Sequence, residues 1–584
     1  MMIVAKILCA ALCFFIAALV TAKKAPREKR LICVLLLLPL TIGCSFVNWA
    51  IVSALDLSGI APPDTVVIEA TDTKNDASKE TSVYLTGLFV DGQSVPIQAA
   101  GNDTWLQEGD WFKWYSSSSS SYVSGTPQSM AVTVPAGENR CLTFLGNAWK
   151  GIGSVSCLGE TQVIDFYAPE DATIQVRLPD SPAAVLRTLQ TVQLVIAALL
   201  LVIELALAVW LLGGSGVSSS QVPARSSNIE LLRSLAMLLI IGHHISIHSG
   251  FGFPAETITA NRLWIEFIQI GGQLGNCIFV LITGYFMIRS VSSPTRKLVK
   301  LWLQIVTYAV TCYMLSCLLG GASFSWKALV KAFFPVTLMS GTWWFTGTFF
   351  MLLLLSPFLN KLLHALTRTE YRAMLTIMTV CWCLVPTFTD KTMLSNSLLS
   401  FGYLYALAGY IRLYPPKSSV SGKKCLLAAV AVTFATFLYV FVFDLLGREH
   451  PWFYTHALHQ YAYNRLPTVL IALLLLVGFL RTNISPSRLI NTIASAAFGI
   501  YLIHEEPSVR PLLWKTLFRN ASYAASPDLI PRTLLEIIGV FCICMLIELF
   551  RLRVLESRYK GAADRVSDRI DRRFRHFTRK EIIK

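Results

Sequence analysis

The chain has 584 residues, 54% of them hydrophobic and only 15% charged, with a mean hydropathy of +0.56. A soluble domain carries about 25% charged residues, so the composition excludes an array of soluble domains and reads as a polytopic membrane protein. The net charge of +15 is no nucleic-acid signature, because the Lys and Arg sit in short loops between apolar runs, which is the positive-inside pattern.

Two apolar runs, about 7–22 and 31–53, flank the basic block KKAPREKR (Lys23–Arg30). That block marks a cytoplasmic loop. It follows the first run instead of preceding it, so a span is expected there and not a cleavable signal peptide ending near Ala22. Residues 1–55 are thus two transmembrane helices. Residues 56–183 change character: runs such as TVVIEA, SVYLTGLFV, SMAVTV, CLTFLG and ATIQVRL are separated by DGQ, PAGEN and APED turns. Short alternating strands at this spacing predict an extracytoplasmic β-sandwich-like domain, with the serine run Ser116–Ser121 as a loop. Its aromatics Trp105, Trp111, Trp114 and Tyr115 suit either a sandwich core or a sugar-stacking surface, and the usual burial of Trp favours the core. Cys141 and Cys157 flank strand-like segments and leave a disulfide open. Residues 184–225 are a third span and a Gly/Ser linker.

From Asn228 onward, window length predicts ten further spans, near 229–248, 264–288, 301–320, 343–362, 373–388, 396–412, 425–446, 466–480, 488–503 and 531–550. Every second loop among them is basic, so this count is consistent with its own orientation. The fold class is a polytopic α-helical membrane protein of about thirteen spans, ten of them in a core over 226–552, with an inserted extracytoplasmic β-domain. The basic tail, 553–584, is expected to be a cytoplasmic amphipathic helix on anionic membrane lipid. No nucleic-acid partner is expected.

The chemistry begins in NIELLRSLAMLLIIGHHISIHSG (Asn228–Gly250). A charge at mid-membrane depth costs about 2.5–3.5 kcal/mol, yet this run holds Arg233, His243 and His244. Eleven residues at about 100° each bring Arg233 and His244 to within ~20° of one face, about 16 Å apart along the axis. His248 shares that face one turn on. Arg233 reads as an anion-binding group or a snorkelling cation; His244 reads as a base or a satisfied core histidine. His244 and His248 also have i,i+4 metal-ligand spacing, but no HExxH glutamate or Cys partner accompanies them, and no metal is expected. The sequence His504-Glu505-Glu506 reads as a solvated loop.

The segment resembles the first core helix of the integral-membrane acyltransferase family 3, with an Arg, ten intervening residues and a His matched by Arg233 and His244. CIFVLITGYFM (Cys277–Met287), the basic TRKLVK (Thr295–Lys300), TWWFTGTFFMLLLLSPFLN and FGIYLIH (Phe498–His504) resemble its later motifs in the same order. Lys at 297 and 300 keeps the charge of the basic motif but weakens bidentate phosphate recognition. The resemblance implies a membrane O-acyltransferase moving an acyl group, acetyl by default, from cytoplasmic acetyl-CoA to a hydroxyl of a cell-envelope glycan across the plasma membrane. It implies His244 as general base or acyl carrier and Arg233 beside it as a catalytic group. Arg233, Arg296, Lys297 and Lys300 would bind the donor, and Tyr501 and His504 the acceptor. The rival class is a transporter or flippase of a lipid-linked glycan, which many spans and buried charges also fit.

Overall fold

In a computed structural model of the chain, the described residues are 2–24, 30–55, 57, 61–100, 105–115, 128–213, 226–290, 294–318, 323–389, 391, 393–394, 396–415 and 421–581. The serine run 116–121, residues 25–29 of the first basic block and the linker at 214–225 lie outside the described residues. The chain divides into two compact units, one of residues 1–6 and 52–197 and one of residues 7–51 and 198–584.

Among the described residues the first unit contains eleven strands: β1 (Asp64–Thr73), β2 (Val83–Val90), β3 (Gln93–Val95), β4 (Gln98–Ala100), β5 (Trp105–Glu108), β6 (Trp111–Trp114), β7 (Gln128–Val134), β8 (Cys141–Gly146), β9 (Ile152–Cys157), β10 (Glu160–Asp165) and β11 (Ala172–Arg177). They form two antiparallel sheets, ordered β10-β9-β1-β7-β4 and β11-β8-β2-β6-β5, with β3 added to β2. Alternation selects the core. On β1, Val66, Ile68 and Ala70 face inward while Val67 and Glu69 face out. On β2 the buried set Val83, Leu85, Leu88 slips by one position, because a bulge lies between Leu85 and Gly87. A Cβ at Gly87 would meet Thr143 Oγ1 at 2.7 Å, so the slip requires glycine. Trp105 and Trp114 belong to the core, whereas Trp111 is 39% exposed. Cys141 and Cys157 are both free thiols. They sit on strands of different sheets, and the Cys157 sulfur faces the buried guanidinium of Arg140 at 3.9 Å.

The helices, most of them in the second unit, follow the predicted spans. After α1 (Met2–Lys24), α2 (Arg30–Ser53) and α3 (Ala183–Gly213), the core runs α4 (Ser227–His248), α5 (Ala260–Met287), α6 (Thr295–Leu318), the short α7 (Trp326–Phe333) and α8 (Val336–Ser340), then α9 (Trp344–Ala365) and α10 (Arg368–Thr379). A π-helical segment leads α10 into α11 (Val385–Phe388). Next come α12 (Ser397–Leu413), α13 (Gly422–Gly447), α14 (Pro451–His456), α15 (Leu466–Leu480), α16 (Arg488–Ser495), α17 (Ala497–His504), α18 (Val509–Pro511), α19 (Leu529–Phe550) and α20 (Ser557–Glu581). Among the described residues, nine helices are long and apolar enough to cross a membrane. Of the other four segments read as spans, those near 7–22 and 31–53 lie in α1 and α2, whose apolar stretches among the described residues are Ala5–Thr21 and Leu37–Ser53, the one near 396–412 is the 17-residue α12, and the last, near 488–503, is broken into α16 and α17.

Small residues set the close packing that lipid alone does not drive. On α5, a Cβ at Gly271 would lie 2.2 Å from the Leu239 carbonyl oxygen and one at Gly275 2.9 Å from that of Ala236. Glycine at both positions therefore lets α5 lie against α4, the helix that carries the histidines.

Candidate active site

Helix α4 delivers His243, His244 and His248 to one end of the bundle, and α17 brings His504 to the same place. The last turn of α17 orients His504: its Nδ1 donates to the Ile500 carbonyl oxygen four residues back, at 2.5 Å. Its Nε2 then lies 2.8 Å from His244 Nδ1. The chain continues into Glu505, whose Oε2 is 3.4 Å from His244 Nδ1 and whose Oε1 is 3.2 Å from His248 Nε2. Arg510 Nη1 donates to the same Oε1 at 2.9 Å. His504 is fully buried, and His244 and Glu505 are 8% and 4% exposed. Buried imidazoles are tolerated at such depth because they are mutually hydrogen-bonded and a carboxylate is paired beside them.

These groups surround a cleft of about 260 Å³ lined by His243, His244, His248, Trp344, Tyr501 and Arg510 among others. His243 Nδ1 donates to the Gln269 carbonyl oxygen at 2.7 Å, since a carbonyl only accepts, so that nitrogen carries the proton. Tyr501 is stationed 6.2 Å from the His244 ring, centroid to centroid, and 5.8 Å from Phe345. The floor of the cleft is thus aromatic and one wall is imidazole and carboxylate. Such a pocket holds a proton acceptor.

The spacing argument for α4 holds for His244 and His248, which meet at the cleft. Arg233 is placed elsewhere. It is 25% exposed and pairs with Glu230, Nη1 to Oε2 at 2.6 Å, one turn back on its own helix. Tyr501 lines the cleft. His504 does not line it. It lies behind His244, because its bond to the Ile500 carbonyl draws the ring inward. The solvated-loop reading of residues 504–506 is corrected by the structure, which buries all three. Glu506 accepts from the backbone N–H groups of Ser508 and Val509, at 2.8 and 3.1 Å. Glu505 and Arg510 are five residues apart, outside the i,i+3 and i,i+4 spacings that signal an ion pair on a helix, so the sequence carried no signal for this pair.

At the start of α6 the cationic motif is already engaged by the C-terminal helix. Arg296 Nε lies 3.1 Å from Asp564 Oδ1 and its Nη2 3.5 Å from Asp568 Oδ1. Lys300 Nζ lies 3.3 Å from Glu556 Oε1, and Thr295 donates to Asp571 at 2.6 Å. Lys297 is exposed. The tail is helical, as expected, but one face of it is acidic and packs on α6, with Ala563 and Ser567 buried. Arg565, Arg569 and Arg572 remain exposed on other faces.

His244, His248 and Glu505 bring potential ligand atoms within 4.8 Å of one another, so the third member of a metal triad that the sequence lacked is present in space. Arg510 neutralises the carboxylate, and His504 occupies the Nδ1 of His244.

The apolar helices of this bundle, with an imidazole cleft and a separate cationic cluster, make the chain a polytopic membrane protein. A family model described as an acyltransferase domain matches residues 226–549, more than half of the chain. The chain therefore belongs to acyltransferase family 3 and is a membrane acyltransferase. Comparison with curated proteins and with solved structures gave no match.

Proposed function

We propose that the chain is a plasma-membrane O-acyltransferase that moves an acyl group, acetyl by default, from cytoplasmic acetyl-CoA to a hydroxyl of an extracytoplasmic cell-envelope polysaccharide. The observation that carries this reading is His244: a buried imidazole that opens on an aromatic-floored cleft and is held by His504 and Glu505. A sugar hydroxyl is a weak nucleophile, and imidazole is the side chain suited to take its proton near neutral pH. In the transfer, the hydroxyl oxygen attacks the thioester carbonyl as His244 accepts the proton. The C–S bond then breaks, and the departing CoA thiolate takes the proton back from the imidazolium. Trp344 and Tyr501 line the cleft that would receive the sugar ring.

Donor phosphates are assigned to Arg233, Arg296, Lys297 and Lys300. Charge-assisted bonds to phosphate are worth about 1.5–3 kcal/mol each. Because Asp564, Asp568 and Glu556 already pair with two of these cations, donor binding must displace those acids. The orientation that suits this chemistry puts residues 56–183 outside and the tail in the cytoplasm.

The test is mass spectrometry of cell-envelope glycans with and without the gene, together with titration of the purified protein with acetyl-CoA. Loss of one acyl mass and saturable donor binding are expected. A folded protein that binds no acetyl-CoA would sink the reading and favour a flippase.

A further inference from the structure

We infer that His504 is a positioning residue that fixes the tautomer of His244, holding the proton on Nδ1 and leaving an unprotonated Nε2 for the reaction. The inference rests on the assignment of His244 as the base, and extends it to a residue that does not line the cleft.

The Ile500 carbonyl oxygen can only accept, so His504 Nδ1, 2.5 Å away, is the protonated nitrogen. A neutral imidazole carries one N–H. His504 Nε2 therefore holds a lone pair and accepts. Its partner at 2.8 Å, His244 Nδ1, must donate. The second group facing that nitrogen agrees: Glu505 Oε2, at 3.4 Å, is also an acceptor. The bond to His504 thus requires a proton on His244 Nδ1, the nearby carboxylate favours it there, and the remaining nitrogen of a neutral His244 is a free base. A backbone carbonyl on α17 dictates, through two rings, which nitrogen of a histidine on α4 can accept a proton. When Nε2 takes the hydroxyl proton, the imidazolium N–H on the far side already points at a lone pair and a carboxylate, so charge develops against oriented partners.

The chain also explains why both rings are buried. An exposed His504 would exchange Ile500 for water and let both tautomers of His244 populate. Burial with one obligatory acceptor removes that freedom.

The experiment uses the full-length protein in nanodiscs, labelled with ¹⁵N-histidine, and the spectrum of His244→Gln assigns the His244 signals. The expected wild-type spectrum shows His244 protonated at Nδ1. His504→Leu removes the acceptor. It should lower kcat by roughly 100-fold, the scale of a general-base contribution, leave donor KM unchanged, and shift His244 toward the Nε2–H form. His504→Gln, whose amide oxygen can accept from His244 Nδ1–H, should recover most of that loss. A His504→Leu protein with wild-type kcat, or a wild-type spectrum with the proton on His244 Nε2, overturns the inference. Should His504→Leu fail to fold, the wild-type spectrum still decides. An active His244→Ala protein would instead overturn the base assignment while leaving the tautomer measurement standing.

Discussion

Arg296 Nε lies 3.1 Å from Asp564 Oδ1, so the cation that opens α6 is held by an acid on the C-terminal helix. If this cluster binds donor phosphates, two opposite substitutions give opposite effects. Changing Arg296, Lys297 and Lys300 together to Gln should raise the donor Kd by at least roughly tenfold, since each charge-assisted bond is worth about 1.5–3 kcal/mol. Changing Asp564 and Asp568 to Asn should lower it, because no acid then has to leave. Titration of detergent-solubilised protein with acetyl-CoA reads both, and equal donor affinity in the two variants would remove the cluster from the site.

His244→Ala should abolish acyl transfer, a fall of roughly 100-fold or more, with expression and membrane insertion unchanged. Glycan mass spectrometry on cells carrying the variant measures it. Substitution of His243 should cost less, since its Nδ1 is committed to the Gln269 carbonyl.

Glu505 faces His244 and His248 and is anchored by Arg510. Glu505→Gln keeps the shape but removes the charge that steadies an imidazolium. A fall in kcat of roughly 10–100-fold is expected from the loss of charge-assisted hydrogen bonding, with acetyl-CoA affinity unchanged. Steady-state kinetics in detergent separates the two, and a variant altered only in KM would assign Glu505 to binding instead.

Sidedness is testable at two exposed positions. Val163→Cys on β10 should react with an impermeant thiol reagent on intact cells, and Arg569→Cys on α20 should react only after the membrane is opened. The reverse pattern would invert the topology.

The β-domain carries its own pH signature. Burial depresses the Lys150 ammonium, which sits over the Tyr84 ring, to about 7. A base whose folded pKa is lowered costs stability while charged. Its contribution is therefore favourable above its unfolded value of 10.5 and is lost as pH falls through about 7. Asp91 is pushed up to about 6, by burial first and by Glu138 second, and acts oppositely: its contribution is full below 3.8 and is lost as pH rises through about 6. Hydrogen exchange of the β-domain amides in the full chain, corrected for intrinsic rates, should show rising protection between about pH 7 and 10. Lys150→Met should flatten that rise, and an unchanged slope would show that Lys150 does not set it.

The sequence by itself determined the parts that depend on local period and composition. Apolar window length located α4 to α6, α9, α13, α15 and α19, since a helix must satisfy its own backbone in lipid. Two-residue alternation located the core of β1, and a spacing of eleven put Arg233 and His244 on one helical face. Tertiary structure decided which of these residues meet. It set His504, 260 residues from His244, behind that ring instead of beside an acceptor. It buried Glu505 where the charge pattern suggested a solvated loop, and it paired Arg296 with an acidic face of the tail. The reason is physical: periodicity fixes the direction of a side chain relative to its own element, whereas the partner that satisfies a buried polar group is chosen by the packing of elements distant in the chain.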